Sequence, residues 1–558
     1  MAFNKFLNNK ISNNCDFCLD VSILSMENRN SNDYFFNKSD LDKMAHFKNL
    51  IERYKLCNKI YYYFNSSSNL WIEERTDDSI INRICEETQN ILQPEKKFVL
   101  EILQTILSDL TIKKSNGSIT SIEEQKITEV ETAIKEFNKY ITKTINEHQK
   151  TKFARSILSF FHHQILDPDF MDKININNHH LLPLKINNFN LKTMKIEQRT
   201  KKHYFTKCLD IYDLEGLSED NDEFKKVDKF FLDICSNHQP KKQYLQKILG
   251  YFLTGSVPLG RCFFIFYGNG KNGKSALVEL IQEIMGSFYC KSIDTSILIK
   301  KGSKTAGQAS PELEVLDYGL RLGILSETDD GDKLNESQIK NITGYDNMSY
   351  RPLYGKQKEF KTEAKLCMLT NNKPYFKLST SMIDRLRFID FKSRFLNDVE
   401  LKNEKAINED GTLKEFYYKA EPELVRELKT IFKNYVLLWM VKGAKQFYED
   451  EHLNIPNDKT LQTENMSYIN ELDSVQRYLD ELCIIDENEK ILVSQVKDSY
   501  CKFCSEENIP PIKPTQLKDV LARKFSIKKN NNNYYYGFKL KEFEEDSNKD
   551  FTSFGLDD

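Results

Sequence analysis

Gly268-Asn269-Gly270-Lys271-Asn272-Gly273-Lys274-Ser275 fits the phosphate-binding pattern G-x-x-x-x-G-K-[ST] at every fixed position. The apolar run Cys262-Phe263-Phe264-Ile265-Phe266-Tyr267 stands just before it, with the length and aromatic content of a buried strand. Ala276 to Met285 follows and is predicted to be a helix closed by Gly286. Strand, glycine loop and helix, in that order, are the context that a nucleoside triphosphate requires. Without a Cβ, the glycines let the chain turn its N–H groups inward around an anion. The helix adds the positive end of its dipole. Lys274 is placed to reach β- and γ-phosphate oxygens. The Ser275 hydroxyl suits Mg²⁺, a hard cation that takes oxygen ligands and bridges the same phosphates. ATP and Mg²⁺ are therefore the expected small-molecule partners; the loop does not say what the energy is used for.

Three further stations follow in order. Leu320-Arg321-Leu322-Gly323-Ile324-Leu325-Ser326-Glu327 is an apolar strand ending in an acid, the layout of a Walker B element. Such a carboxylate can hold the metal shell or orient the attacking water. Lys340-Asn341-Ile342-Thr343-Gly344-Tyr345-Asp346 is next, then Arg351-Pro352-Leu353-Tyr354-Gly355-Lys356-Gln357-Lys358. Leu366-Cys367-Met368-Leu369-Thr370-Asn371-Asn372-Lys373-Pro374 is a second buried strand that ends in amides, and an Asn there can hydrogen-bond the γ-phosphate or the water.

The succession GNGKNGKS, LSET, KNITGYD…RPLYG, LTNNKP and DRLRFIDF resembles the superfamily 3 helicases. More narrowly, it is similar to the ATPase halves of poxvirus-type and phage or plasmid primase–helicases. The likeness covers roughly 225–395. It extends upstream over Leu181-Leu182-Pro183-Leu184-Lys185 and Arg199 to Lys207, which resemble the domain preceding such cores. For matching positions the resemblance implies Lys274 and Ser275 in the roles above, Glu327 as the catalytic acid and second metal ligand, and Asn371 as the sensor amide. It implies a hairpin entering a ring channel, its tip near Tyr354 to Lys358, with Lys356 and Lys358 on DNA phosphates and Tyr354 stacking. It implies that Arg385 is an arginine finger donated to a neighbouring subunit, with Arg387 as the runner-up. Two positions depart from the family pattern. Ser326 precedes Glu327 where paired acids are usual, which leaves Asp329 as an alternative helper. Asp384 stands where the finger motif has a first arginine.

The remainder of the 558 residues bounds the reading. With 40% hydrophobic residues the chain can bury several cores. No run reaches the length of a membrane span and no leader has the layout of a signal peptide, so a soluble intracellular protein, cytoplasmic or at a viral replication site, is expected. The 12 scattered cysteines suit reduced thiols. Cys15/Cys18 and Cys501/Cys504 have zinc-like spacing but form weak, distant pairs. A net charge of −3 confines DNA binding to local basic surfaces. One such stretch runs from Pro511 to Lys541, with Lys513, Lys518, Arg523, Lys524, Lys528, Lys529, Lys539 and Lys541 against Asp519 alone. Its helix, helix and two-stranded pattern, with Asn530 to Asn533 as a wing tip, predicts a winged helix.

The expected fold is α/β: an AAA+ type P-loop core with a mainly helical N-terminal domain and a C-terminal winged helix. The expected segments are a polar leader (1–43), the N-terminal domain (44–224), the ATPase core (225–395), a helical segment and linker (396–469, the linker at 454–465), the winged-helix-like domain (470–541) and an acidic tail (542–558). Helix is expected over Leu41 to Leu56, a hairpin over Lys59 to Ile72, and long helices from Ser79 to Ile165. No strand-borne acid pair of a primase is found. The functional expectation is an ATP-dependent DNA helicase, a homo-oligomeric ring and most simply a hexamer, on single-stranded and forked DNA in viral or mobile-element replication. A primase or polymerase would be a separate chain. The rival readings are an origin-binding initiator that melts DNA and an ATP-gated scaffold.

Overall fold

The computed structural model describes residues 40–148, 150–176, 178–299, 311–326, 334–352, 357–371, 379–404, 406–506, 511–522, 524–529 and 533–541. Cys15, Cys18, Glu327, Asp329, Tyr354, Lys356, Arg523, Asn530 to Asn532 and the acidic tail lie outside the described residues. The chain divides into two compact units. One holds the described residues up to Ile174 together with Thr200–Thr206; the other holds Asn175–Arg199 and everything from Lys207.

In the first unit, β1 (Tyr54–Cys57), β2 (Ile60–Asn65) and β3 (Leu70–Glu74) form an antiparallel meander. The hairpin expected over Lys59 to Ile72 is the β2–β3 pair, with Phe64 opposite Trp71. The helix expected over Leu41 to Leu56 stops early, at Lys48–Ile51. Residues 54–57 extend instead because Tyr54 and Leu56 are buried and alternate with half-exposed Lys55, a period of two. The Tyr54 ring then meets Tyr63 across the pair at 5.0 Å. Three long helices follow: α1 (Asp78–Ser115), α2 (Ser121–His148) and α3 (Thr151–Ile165). Ile80, Ile84 and Leu92 of α1 recur near helical spacing and share a core with Phe137 and Ile141 of α2 and Ile157 and Phe161 of α3.

The second unit opens with a small antiparallel sheet of β4 (Leu181–Pro183), β5 (Asn188–Asn190) and β6 (Lys195–Glu197). Buried Arg199 donates to the Leu184 carbonyl at 2.7 Å and the Lys185 carbonyl at 2.8 Å. Arg199, the first residue of the second upstream stretch, is thus tied to the first stretch. The helices α4 (Asp222–Ile234) and α5 (Gln239–Phe252) lead into β7 (Phe263–Tyr267), α6 (Lys274–Tyr289) and β8 (Cys290–Ile293). Then come β9 (Leu322–Leu325), α7 (Glu336–Gly344), the antiparallel pair β10 (Met348–Tyr350) and β11 (Lys358–Phe360), β12 (Lys365–Thr370) and β13 (Leu386–Asp390).

Five strands make one parallel sheet in the order β13-β7-β12-β9-β8. Parallel strands covered on both faces are apolar throughout, and β7 shows why. Phe264 and Phe266 enter the core made with α5 and α6, whereas Phe263 and Ile265 enter the opposite core with Leu366 and Phe388. This is the α/β core with a helical N-terminal region that the sequence predicted. β14 (Arg394–Leu396) and β15 (Tyr417–Lys419) form a separate parallel pair, and α8 (Lys433–Asp450) packs on α5. There the backbones nearly touch. A Cβ on Gly443 would run into the Gln246 carbonyl oxygen, and one on Gly250 would strike the Ala444 backbone nitrogen. Because main chain has no rotamer to yield, Gly443→Ala should cost about 3 kcal/mol, the upper end for overpacking. Urea unfolding of the two proteins checks this; equal midpoints would refute the close approach.

Within the expected linker, 454–465, a helix begins at Lys459. Asp458 caps α9 (Lys459–Leu482) by accepting from Leu461 N–H, and Asn465 brackets Phe388 of β13 by hydrogen bonds to its N–H and carbonyl, both 3.0 Å. Buried Glu464 takes Lys241 at 2.9 Å and Lys392 at 2.8 Å. Pro456, Asn457 and Asp458 together spell a helix start as readily as a linker, and only the strand they pack on decides. After α9 come β16 (Cys483–Leu492), α10 (Val493–Glu506), α11 (Pro514–Ala522), β17 (Ser526–Lys529) and β18 (Asn533–Leu540). The last three strands pair antiparallel in the order β16-β18-β17 around Tyr478, Tyr500, Phe503 and Tyr535. Cys501 is exposed whereas Cys504 is buried in that core.

Candidate nucleotide site

The glycine loop lies at the C-terminal edge of the sheet, where β7 is flanked by β13 and β12. Thr370 and Asp390 both stand level with Tyr267, so three strands end together beneath the loop. Such an edge is where open α/β sheets leave a crevice for ligands. The loop needs its glycines. Gly273 has φ +82° at the mouth of α6, and a side chain on Gly268 would meet the Asn272 amide and, at 2.6 Å, the Phe391 carbonyl. Asn272 pins the turn from inside, its amide oxygen accepting from Lys274 N–H at 3.3 Å. Lys271 itself is left-handed at φ +51°. It is held from outside because its carbonyl accepts from Phe395 N–H at 2.7 Å and its ammonium pairs with Glu400 at 2.6 Å. The Lys271 ammonium and the Asn397 N–H hold the Glu400 carboxyl below the usual range.

Lys274 is buried, 6% exposed. Its ammonium donates to the Gly268 carbonyl, to the Thr370 carbonyl at 3.1 Å and to the Asn371 amide oxygen at 3.0 Å. Two residues predicted separately, Lys274 and Asn371, are thus in contact. Asn269, Gly270, Lys271 and Ser275 are exposed along the loop, and Ser275 stands in the first turn of α6, whose leading N–H groups have no carbonyl one turn back. A loop wrapped around N–H groups, a cation at its floor and a hydroxyl at its rim fit a triphosphate and an oxygen-seeking metal. Glu327 follows Ser326 beyond the end of β9 and lies outside the described residues.

Arg385 is at the other edge. Its carbonyl accepts from Phe263 N–H, the first residue of β7, whereas the glycine loop follows the last. Five strand residues separate the two edges, about 16 Å at 3.3 Å per residue. Arg385 is half-buried, donating to Thr343 Oγ1 at 3.2 Å and the Ser381 carbonyl at 2.6 Å. The runner-up, Arg387, is 8% exposed and spent inside the chain. It donates to the carbonyls of Leu453, Asp384 and Leu386.

The expected hairpin is the β10–β11 pair, Tyr350 opposite Lys358. Lys358 begins the returning strand rather than reaching out from a tip. Its ammonium pairs with Asp317 at 2.6 Å and lies 4.1 Å from the Tyr318 ring centre. Burial opposes its charge, but the hydrogen bond and charge of Asp317 outweigh that, and its pKa is raised. Tyr350 donates to the same carboxylate at 3.1 Å. Sequence reading missed Asp317, Thr370, Phe395 and Glu400. Asp317, Phe395 and Glu400 stand in no motif, and Thr370, although it lies in LTNNKP, contributes only its main-chain carbonyl, which no side-chain identity signals.

Fold and loop together define an α/β core consistent with the P-loop type. The model of a family of unknown function, DUF5906, matches residues 266–385, which runs from the end of β7 to Arg385. The chain is a distant homologue of viral proteins described as putative helicases. It is 25% identical over 464 residues to "Putative helicase L207/L206" of Acanthamoeba polyphaga mimivirus, 81% of this chain and 44% of that protein. It is 25% identical to "Putative helicase 121R" of Invertebrate iridescent virus 3 over 46% of this chain and 27% of that protein. It is 23% identical to "Putative helicase 022R" of Frog virus 3 over 52% and 29%. The matched stretch therefore spans less than half the length of these relatives. Among solved structures, the apo A form of the NrS-1 C-terminal region is similar over 56% of this chain and 75% of that one, at 12% identity and a TM-score of 0.30.

Proposed function

We propose that the chain is an ATP-dependent DNA helicase of superfamily 3 with an AAA+ type core, working as a ring of identical copies, a hexamer, in the replication of a virus or mobile element. The observation that carries the reading is the pairing of two edges. Lys274 and Asn371 meet at one edge of the sheet, and Arg385 stands at the other, too far to serve its own chain's phosphates. A head-to-tail interface would bring the Arg385 edge of one copy to the loop of the next, and such an interface forms a ring when its rotation closes.

In this reading the loop N–H groups bind the triphosphate, and Lys274 leaves the Gly268 carbonyl to take β- and γ-phosphate oxygens. Asn371, already on Lys274, reports whether the γ-phosphate is present. Ser275 and Glu327 would hold Mg²⁺, which neutralises phosphate charge when bound. Arg385 of the neighbour stabilises charge building on the transferred phosphoryl group. Tyr354 and Lys356 would meet single-stranded or forked DNA, and Lys358, fixed by Asp317, would carry the hairpin. The C-terminal helices and strands would act as a winged helix on duplex DNA, with priming or polymerisation left to another chain. Among the described residues no helix is long and apolar enough to cross a membrane. Strand displacement on a forked duplex tests the proposal. Release of the displaced strand should require ATP, whereas a protein that hydrolyses ATP at a rate indifferent to single-stranded DNA and frees no strand would refute it.

A further inference from the structure

The first unit holds a cleft of about 290 Å³ that the nucleotide site does not use. Tyr54, Lys55, Trp71, Lys201, Lys202 and Tyr204 line it, with Glu52 as the one acid on its wall. Its floor is rigid. Trp71 is 2% exposed, with its backbone N–H on the Phe205 carbonyl and its indole N–H on the Lys201 carbonyl, each at 2.9 Å. Its rim is rigid too. Lys201–His203 is a single helical turn that starts from a reciprocal Thr200–His203 cap and ends at Tyr204, left-handed at φ +54°. A left-handed aromatic residue is uncommon and held only where its surroundings insist. Here the Tyr204 ring lies nearly parallel to Trp71, 8° apart in plane.

The charges point one way. Lys201 and Lys202 are exposed, and neither ammonium has an acidic partner among the described residues. Lys55 is only 3.9 Å from Asp167, whose other oxygen already holds Lys173 at 2.8 Å. Three ammonium groups against one carboxylate exclude a metal ion or an amine. The aromatic floor and the volume exceed what a bare phosphate needs. Flat apolar surface beside paired cations is the chemistry of a base joined to a phosphate.

We propose that this cleft binds one nucleotide unit of a single strand, Lys201 and Lys202 taking the phosphate and Tyr204 facing the base, with Trp71 packed beneath as the floor. The same chemistry could be presented by a free mononucleotide, and two arms of one titration separate the sources. The chain has two tryptophans, and Trp439 is fully buried and stacked on Phe231, so a change in emission on binding reports Trp71. The full-length protein, without ATP, is titrated with a short oligo(dT) and, separately, with dTMP.

Oligo(dT) should quench emission saturably. The Lys201→Ala/Lys202→Ala protein should bind about tenfold more weakly, and its slope of log affinity against log salt should be shallower by about 0.7, one phosphate neutralised on a single strand. Quenching by dTMP with the same dependence on the lysines would assign the cleft to a free nucleotide instead of a strand. Equal affinities and slopes for the parent and double variant, with matching circular dichroism, would overturn the proposal. A Lys274→Ala protein should quench as the parent does, so failure at the triphosphate site is read separately.

Discussion

Lys274→Ala should reduce ATP hydrolysis by on the order of a thousandfold or more while leaving the protein folded. The side chain is a buried cation held at the loop floor by the Thr370 carbonyl and the Asn371 amide oxygen. Removing a preorganised group that meets developing phosphate charge typically costs that much in rate. The structural loss is smaller. Three acceptors lose a donor, about 1–3 kcal/mol at most because the loop rim is open to water. Neighbours also hold the loop independently through Asn272, Phe395 and Glu400. Turnover and a thermal melt on the same sample separate the two effects. Retained turnover would remove the assignment of the site.

Arg385→Ala should also abolish turnover, and mixing should then restore it. A finger supplied across an interface contributes about a thousandfold or more. If Arg385 acts on the neighbour, a copy lacking Lys274 still donates its arginine, and a copy lacking Arg385 still offers an intact loop. A random one-to-one mixture would make about a quarter of the junctions whole, given a closed ring. Recovery towards a quarter of parental turnover is therefore expected. A purely structural Arg385, acting through Thr343 and Ser381, predicts no recovery at any ratio. The same experiment on Arg387 should behave differently. Its guanidinium is committed to three carbonyls of its own chain, so Arg387→Ala should destabilise the protein without complementation.

Much of this site was legible because it is local. A glycine loop between an apolar run and a helix reports its own geometry, since positive φ at Gly273 and contact at Gly268 act through neighbours in sequence. The strand ending in Asn371 was legible for the same reason: a buried parallel strand is apolar throughout and its first polar residue marks the edge. Lys358 was less so. A lysine on a hairpin reads as exposed until Asp317, 41 positions away, is folded against it. The segment 454–465 misled because its Pro-Asn-Asp cluster serves a turn or a helix cap equally.

The sequence by itself determined that this chain builds a glycine-rich loop between a buried strand and a helix, because backbone freedom and apolar periodicity are properties of short stretches. Only the tertiary structure decided which arginine keeps a semi-exposed guanidinium and which is spent inside. It also decided that Lys274 rests on Asn371, and that Arg385 stands a strand's length from its own loop. The physical reason is common to all three. Hydrogen-bond partners and distances between edges are set by which strands lie side by side, and strand order is not written in any one of them.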